Sequence, residues 1–227
     1  MSGTSVGVIL SGCGFLDGAE IQEAVLVLLA LSRAGAVARL FAPDGTLQEV
    51  DHKSGAATGH ERSVLGESAR IARGQVADLK SVAGSDVDLW VLPGGYGAAK
   101  NLTDFATKGA LATVNKDVGR VLREALSAHI PIAACCIAPV VVAVAAKQAS
   151  LHLRLTIGKD LDTAKQIAAM GHTHVECTVT DVVIDHAHKV VTSPAYMYGD
   201  APIASVAAGI DKMVAVALAW ASPEGST

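Results

Sequence analysis

The sequence predicts an α/β fold built on a doubly wound, mostly parallel sheet with helices on both faces. Strand-like and helix-like patterns alternate along the whole chain, without a repeat, a low-complexity tract or a linker to separate them. Hydrophobic residues make up 51% of the 227 residues and charged residues only 18%. Small aliphatic side chains supply this excess, which is typical of a sheet buried on both faces. We therefore expect residues 1–227 to form a single domain.

The first half of the chain contains three apolar strands and two helices. The strands are expected over residues 6–10, 37–41 and 87–92, and the last of them stops at Pro93-Gly94-Gly95. A helix over 21–34 has Ala24, Val25, Leu28 and Leu29 at helical spacing and ends before Gly35, and a second over 64–73 ends before Gly74.

The second half continues the alternation. Asn115 can cap a helix whose apolar side chains form one stripe: Val118, Val121, Leu122, Ala125 and Leu126. A strand ending at Cys135 and a helix from Pro139 follow, and then a strand over 153–157 and a helix over 163–170. Further strands are expected over 175–179, 182–184 and 190–192, and a final helix over about 202–220.

The junction between the strand and the helix at residues 131–139 carries a candidate nucleophile, Cys136. Ala134 and Ala138 lie two places on either side of it, where a sharp strand-to-helix turn needs small residues, and Pro139 suits a first helical turn. Unpaired amides at a helix N-terminus stabilise a thiolate, so we expect the pKa of Cys136 to be lowered. Cys135 should face the opposite way. The alternative is that Cys136 packs in the core as a small hydrophobe.

Three segments are expected to meet at one edge of the sheet, because they leave the carboxyl ends of their strands. They are residues 11–14, 93–97 and 135–136. Their glycines let backbone N–H groups turn inward, as an oxyanion site requires. A phosphate cradle is the competing interpretation, but neither GxxxxGK[ST] nor GxGxxG occurs.

Charge and composition argue against several classes of partner. The net charge is −4 without a basic stripe, so neither nucleic acid nor an anionic membrane is an expected partner. The uncharged run over 130–146 is short for a membrane span and holds two prolines. Four cysteines without a CxxC pair, and an N-terminus without a secretory pattern, favour free thiols in a reducing compartment, here the cytoplasm.

With these segments assembled, the chain resembles the class I glutamine amidotransferase-like superfamily in its ThiJ/PfpI branch, and within it the ElbB-type glyoxalases and their eukaryotic ES1-type relatives. The resemblance covers almost the full length. The matching stretches are residues 10–14 (Leu-Ser-Gly-Cys-Gly), 17–24 (Asp-Gly-Ala-Glu-Ile-Gln-Glu-Ala), 92–102 (Leu-Pro-Gly-Gly-Tyr-Gly-Ala-Ala-Lys-Asn-Leu), 136–139 (Cys-Ile-Ala-Pro), 155–158 (Leu-Thr-Ile-Gly) and 192–196 (Thr-Ser-Pro-Ala-Tyr).

The resemblance implies a flavodoxin-like sandwich, a homodimer, a nucleophilic Cys136 and a glutamate on the first helix that shares a proton with it. Glu20 and Glu23 compete for that role, and the family's spacing to the helix end favours Glu23. The N–H groups of Gly95 and Ile137 are implied as the oxyanion hole. Three further residues are candidates for substrate binding on the same edge: Gly94, Cys13 and Asn101. Because eukaryotic relatives can be mitochondrial, that compartment stays open.

One departure from the superfamily pattern concerns histidine. Many relatives have a histidine on the strand after the elbow helix, but residues 156–160, Thr-Ile-Gly-Lys-Asp, supply none. Neither His152 nor His174 has a spacing that ties it to Cys136, so glutamine hydrolysis is the least expected activity. The pairs His172/His174 and His186/His188 fit polar hairpin ends better than a metal site, which wants four ligands.

The function expected from the resemblance is a glyoxalase-like enzyme that needs no glutathione, metal or other cofactor. Cys136 would add to a small dicarbonyl, glyoxal or methylglyoxal, and release a hydroxy acid. The alternatives are a cysteine-based redox sensor or stress-response interaction protein and, less favoured, a glutaminase-type subunit.

Overall fold

The computed structural model describes residues 3–221, and these residues build a seven-stranded sheet with helices on both faces. Its strands are β1 (Ser5–Ile9), β2 (Val37–Ala42), β5 (Val76–Asp78), β6 (Leu89–Leu92), β7 (Ile132–Cys135), β10 (Val183–Asp185) and β11 (Val190–Ser193). They lie in the order β10-β11-β7-β6-β1-β2-β5. All neighbours pair in parallel except β10, which runs antiparallel to β11 at one edge. The predicted flavodoxin-like fold class is confirmed.

Eight helices and two small sheets complete the described part of the chain. The helices are α1 (Ile21–Arg33), α2 (Val64–Ile71), α3 (Tyr96–Lys100), α4 (Phe105–Lys108), α5 (Lys116–Ser127), α6 (Pro139–Gln148), α7 (Leu161–Ala169) and α8 (Ile203–Ala221). A hairpin joins β3 (Thr46–Val50) to β4 (Ala57–Ser63), and β8 (Arg154–Leu155) pairs in parallel with β9 (Thr173–His174).

The central strands divide their side chains between two cores, one on each face of the sheet. Along β6, Trp90 and Leu92 belong to the core that α5 and α6 cover, while Leu89 and Val91 belong to the core that α1 and α8 cover. Successive strand side chains alternate in direction, so a strand with helices on both sides is apolar at every position. This arrangement explains the continuous apolar runs in the sequence.

The apolar face predicted for α1 is wrong in part, because the face that packs inward is shifted by about one residue along the helix. Val25 is 50% exposed and Leu29 is 41% exposed, although their spacing suggested burial. The face of α1 that packs inward carries Glu23, Ala24, Val27, Ala30 and Leu31. A carboxylate thus lies where the sequence pattern predicted only apolar side chains.

Two strand predictions after the elbow helix are also wrong in part. The strand expected over 153–157 shrinks to the two residues of β8, which pairs with β9 outside the main sheet. Residues 175–179 form no strand, and the carbonyl of Cys177 accepts a hydrogen bond from the Tyr198 hydroxyl at 2.8 Å instead of a strand neighbour.

Helix α8 is the one described helix that is long and apolar enough to cross a membrane by length and composition. Its Val206, Ile210 and Met213 are fully buried against α1 and the sheet. Burial of this face is the pattern of a core helix in a globular fold.

Candidate active site

The candidate site lies where the chain reverses its direction of winding across the sheet. From the central strand β1 the chain proceeds outward to β2 and β5, and then returns to β6 and β7 on the other side. Ligands bind in such folds beyond the carboxyl ends of the strands at this switch point. The turn after β6 begins at Pro93, and the turn after β7 holds Cys136, so two of the three segments expected to meet do so here.

Cys136 lies in a strained turn. Its φ is 58°, in the left-handed region that residues other than glycine rarely adopt, at a cost of roughly 1–3 kcal/mol. Its N–H donates to the carbonyl of Ser193 at 3.0 Å, and α6 begins three residues later at Pro139. This is the geometry of a nucleophile elbow, with alanines at 134 and 138 where the pattern usually has glycines.

Gly94 and Gly95 allow the turn after β6 to approach the thiol closely. A Cβ on Gly94 would lie 2.3 Å from Cys136 Cβ, 2.9 Å from its Sγ and 2.6 Å from Glu23 Oε2. Gly95 has a φ of 96°, and a Cβ there would lie 2.4 Å from the backbone N of Glu20. Neither position has room for a side chain, because the backbone itself forms the wall of the site.

Glu23 is fully buried, and both of its carboxylate oxygens accept backbone hydrogen bonds. Gly94 N–H donates to Oε2 at 2.9 Å, and Tyr196 N–H donates to Oε1 at 3.0 Å. The Glu23 carboxylate also lies beside the Cys136 thiol, since a Cβ on Gly94 would lie against both, and the two groups interact electrostatically. Three segments distant in sequence therefore hold this carboxylate against the nucleophile.

Glu20 has a different environment. Its carboxylate accepts the N–H of Glu23 at 2.6 Å and so caps α1. It also lines the cavity in front of Cys136, and burial raises its pKa. Of the two competing acids, Glu23 is the one that lies beside the thiol at Gly94, and Glu20 lines the cavity.

The electrostatics of the pair differ from the sequence expectation for Cys136. Burial and the charge of Glu23 raise the pKa of the Cys136 thiol, and the N–H groups of Gly95 and Ile137 only partly offset this rise. The expected lowering of the thiol pKa is therefore wrong, because desolvation and a neighbouring carboxylate outweigh the helix N-terminus. Burial raises the pKa of Glu23 to about 7. The first of the two protons therefore leaves the pair near neutral pH, and above that pH the two groups share the remaining one.

Cys135 contacts the same carboxylate and belongs to the same core cluster as Cys136, so the expectation that it faces the opposite way is wrong. Its thiol is fully buried and donates to Glu23 Oε2 at 3.8 Å. Burial and Glu23 raise its pKa well above the ordinary value. Cys135 and Cys136 both contact Glu23, but of the two only Cys136 lines the cavity.

The cavity in front of Cys136 has a volume of about 750 Å³. It is lined by Gly95, Ile137 and Cys136 of the nucleophile and oxyanion segments. The remaining lining residues are Phe15, Glu20, Gln22, Tyr96, Asp160, Thr163, Tyr196, Met197 and Gly199.

Two of the expected substrate-binding residues lie elsewhere. Cys13 lines a separate cavity of about 470 Å³ under the β3–β4 hairpin, where it is grouped with Asp17 and His52. The Asn101 amide donates to the carbonyls of Ser11 at 2.8 Å and Asp17 at 2.7 Å. Asn101 therefore clamps the loop after β1 to the turn after β6 and does not line the cavity of Cys136.

None of the histidines that the structure describes lines this cavity. His172 bridges two backbone groups, accepting the N–H of Leu153 at 3.1 Å and contacting the carbonyl of Ala143 at 2.8 Å. His188 pairs with Asp185, and His186 packs on Trp220. Within residues 3–221, no three His, Cys, Asp or Glu side chains are grouped so that they could hold a metal ion.

Sequence reasoning missed three residues of the site. The N–H of Tyr196 holds Glu23, yet only the matching stretch 192–196 pointed to it. Asp160 occupies the cavity wall in the very segment where a histidine was sought. Phe15 follows the glycines after β1, and nothing in its neighbours indicated that it would be 46% exposed at a cavity.

Curated relatives match most of the chain, although no family model does. The human protein named glutamine amidotransferase-like class 1 domain-containing protein 3, mitochondrial, is 43% identical over 203 residues, which is 85% of this chain and 74% of that protein. The rat ES1 protein homolog, mitochondrial, is also 43% identical over 203 residues, which covers 85% of this chain and 75% of the relative.

Solved structures agree with this result. An isoprenoid biosynthesis protein with an amidotransferase-like domain from Ehrlichia chaffeensis superposes with a TM-score of 0.89 at 37% identity, covering 96% of this chain and 99% of the other. A DJ-1β and a ThiJ/PfpI domain share the fold at TM-scores of 0.55 and 0.58. The resemblance is thereby confirmed, and the chain belongs to the ES1 branch of the class I glutamine amidotransferase-like superfamily.

Proposed function

We propose that the protein converts small dicarbonyls such as glyoxal and methylglyoxal to hydroxy acids, with Cys136 as the nucleophile. The observation that carries this proposal is the pair formed by Cys136 and Glu23, in which a buried carboxyl with a pKa of about 7 lies beside the thiol at Gly94. A carboxyl that titrates near neutral pH suits proton transfer in both directions.

The proposed reaction begins when the Cys136 sulfur adds to the aldehyde carbon of methylglyoxal. The sulfur–carbon bond forms, the carbonyl π electrons move to oxygen, and the thiol proton passes to Glu23. The N–H groups of Gly95 and Ile137, which donate toward Sγ in the free protein, would donate to the hemithioacetal oxygen.

Glu23 would then move protons between carbon and oxygen. The thiol proton first passes from Glu23 to the hemithioacetal oxygen. The Glu23 carboxylate then removes the proton from the former aldehyde carbon and delivers it to the ketone oxygen, which gives an enediol. Transfer of a proton from the former aldehyde oxygen to the neighbouring carbon, again through Glu23, gives a thioester. The former aldehyde carbon is oxidised and the former ketone carbon is reduced, so no external oxidant or reductant enters. Water then cleaves the thioester to lactate and the free thiol of Cys136.

The absence of a histidine from the described cavity wall makes glutamine hydrolysis the weaker alternative. A cysteine–histidine pair activates the thiol and later protonates the leaving amine. The proposed dicarbonyl reaction releases no amine that would need a proton, so one carboxyl, Glu23, can carry out every proton transfer.

The compartment and the oligomeric state of the enzyme are also proposals. The mitochondrial names of the human and rat relatives support the mitochondrial alternative and not the cytoplasmic location expected from the sequence. We further propose a homodimer that acts without nucleic acid, membrane or cofactor, and sedimentation of the purified protein tests the dimer.

The experiment that tests the activity is incubation of the purified protein with methylglyoxal in the absence of glutathione and added metal. The proposal expects one lactate for each methylglyoxal consumed, at a rate proportional to enzyme concentration. Heat-denatured protein is the control for reaction with surface amines. A rate of lactate formation equal to that control would refute the proposed activity.

A further inference from the structure

The cavity in front of Cys136 is far larger than a three-carbon dicarbonyl needs. Its volume of about 750 Å³ lies within the range of pockets that enclose drug-sized ligands, about 300–1,000 Å³. The inference drawn from this excess rests on the proposed function, since it concerns what else the substrate carries besides the reacting carbonyl.

Aromatic and apolar side chains form much of the cavity wall. Phe15 is 46% exposed and Tyr96 is 51% exposed, which is high for large apolar side chains on this protein. They are joined by Ile137, Tyr196 and Met197. The Tyr196 ring is positioned by a hydrogen bond from its hydroxyl to the Gln22 side chain. Such a wall stabilises an aromatic or aliphatic group by burial.

The ionisable groups among the described lining residues are acidic, apart from the Cys136 thiol and the tyrosine hydroxyls. Glu20 and Asp160 contribute carboxylates, whereas lysine, arginine and histidine are absent from that part of the wall. Glu23 adds a third carboxyl behind the thiol. An anionic substrate would meet like charge on entering and would find no cation to pair with.

Both rim carboxylates are held in place by helix N-termini. Glu20 accepts the N–H of Glu23 in α1, and Asp160 accepts the N–H of Thr163 at 2.7 Å in α7. Because each bond uses a backbone donor, glutamine or asparagine can replace the acid and keep the cap while removing the charge.

Two lysines close in sequence to lining residues, Lys100 and Lys159, make contacts within the protein. The Lys100 ammonium donates to the carbonyl of Leu16 at 3.0 Å and lies 5.3 Å from the Tyr96 ring centre. The Lys159 ammonium lies 5.3 Å from the centre of the Tyr198 ring. Neither lysine lines the cavity, so neither offers an ion pair to a ligand bound over Cys136.

We infer that this cavity selects carbonyl compounds that carry an aromatic or aliphatic group with neutral or positive charge, and that Glu20 and Asp160 exclude anionic ones. The two carboxylates are specificity-determining residues, and the aromatic wall around Phe15 and Tyr96 supplies affinity for the apolar group.

The test uses thiol probes, so that it does not depend on dicarbonyl turnover. Four methanethiosulfonates share one reaction, in which the Cys136 thiolate attacks the sulfenyl sulfur, a mixed disulfide forms and methanesulfinate leaves. Their transferred groups are methyl, benzyl, trimethylammonioethyl (cationic) and sulfonatoethyl (anionic). Each rate constant at Cys136 is measured by peptide mass spectrometry and divided by the rate constant for free cysteine. All four rates scale with the same thiolate fraction, so their ratios report only the cavity.

The inference predicts that the cationic probe reacts faster than the anionic one by about tenfold or more at low salt, and that added salt reduces the ratio. Glu20→Gln and Asp160→Asn should each lower it by about threefold. Asp162→Asn is the matched control, because this side chain on the same helix is 92% exposed and lies off the cavity. It should leave the ratio unchanged. The benzyl probe should react faster than the methyl probe, and Phe15→Ala should reduce that advantage.

Equal normalised rates for the cationic and anionic probes would overturn the charge selection, and a benzyl rate at or below the methyl rate would overturn the aromatic wall. Failure of the proposed activity is distinguishable from both. If the probe ratios hold while no dicarbonyl is turned over, the cavity keeps its selectivity and the reaction assigned to it is wrong.

Discussion

The Cys136 thiol and the Glu23 carboxylate are both packed against the backbone of Gly94, whose missing side chain leaves the space in which they meet. Gly94 N–H also donates to Glu23 Oε2, so the residue that both groups contact also orients the carboxylate. The pair is thus assembled from α1, the turn after β6 and the turn after β7. These three segments lie together only because the sheet order brings β1, β6 and β7 side by side.

Gly94→Ala should destabilise the fold and disrupt the pair. The added Cβ would lie 2.3 Å from Cys136 Cβ, and neither backbone can retreat without breaking the sheet edge. We expect a loss of about 2–3 kcal/mol in the free energy of unfolding, measured by denaturant titration. Gly199→Ala is the matched control, because a Cβ there meets nothing within 4 Å, and it should change stability by less than about 1 kcal/mol. Similar stabilities for the two variants would mean that the contact at Gly94 is not rigid.

Glu23 should make stability fall as the pH rises toward neutrality. Its folded-state pKa of about 7 lies above the ordinary value of 4.5, so between these values the folded protein holds a proton that the unfolded chain releases. The free energy of unfolding should therefore decrease from about pH 4.5 to about pH 7, by roughly 3 kcal/mol.

Unfolding of Glu23→Gln across the same pH range measures this contribution. The amide cannot accept at both Gly94 and Tyr196, so the variant starts less stable at low pH, but its slope with pH should be smaller than that of the wild type. Glu61→Gln, at an exposed position, is the control and should keep the wild-type slope. Identical slopes in all three proteins would show that Glu23 is ionised at low pH.

Alkylation of Cys136 should depend on pH in two steps. Because the thiol and Glu23 share one proton, the first ionisation near neutral pH belongs to the pair and partly populates the thiolate, and the second needs a higher pH. In Glu23→Gln one ionisation remains, so the profile should show one step. Iodoacetamide rates at Cys136, read by peptide mass spectrometry, give both profiles. A single step in the wild type would contradict the shared proton.

The two glutamates of α1 should differ sharply in their effect on methylglyoxal turnover. Glu23→Gln removes the group that moves protons at the reacting carbons, and kcat/KM should fall by about 100-fold or more. Glu20→Gln keeps the helix cap and changes only the rim charge, so its loss should be at least about tenfold smaller. The reverse order would reassign the catalytic acid to Glu20.

The sequence was sufficient for the parts of the fold that burial dictates. The apolar strands predicted at residues 6–10, 87–92 and 190–192 all contribute to the parallel sheet, because side chains buried on both faces leave no polar alternation. The β3–β4 hairpin was not predicted, for the opposite reason. Every residue of β4 is exposed, so its sequence carries no apolar pattern.

The candidate site was predictable where the backbone geometry restricts which residue types fit. Glycines at 94 and 95 and small residues around Cys136 indicated a close approach, and the structure shows it. The pKa of Cys136 was not predictable in this way, because it depends on the distance to a buried carboxylate from another segment. Cys13 and Asn101 were misplaced because a position near the strand end does not determine which side of the loop a side chain faces.

The most direct test of the assignment of Cys136 is the kcat/KM for lactate formation from methylglyoxal without glutathione, compared between the wild type, Cys136→Ala and Cys13→Ala. Cys136→Ala should reduce the rate to that of heat-denatured protein, while Cys13→Ala, which changes a thiol of the separate cavity, should retain turnover. Full activity in Cys136→Ala, or its loss only in Cys13→Ala, would contradict the account.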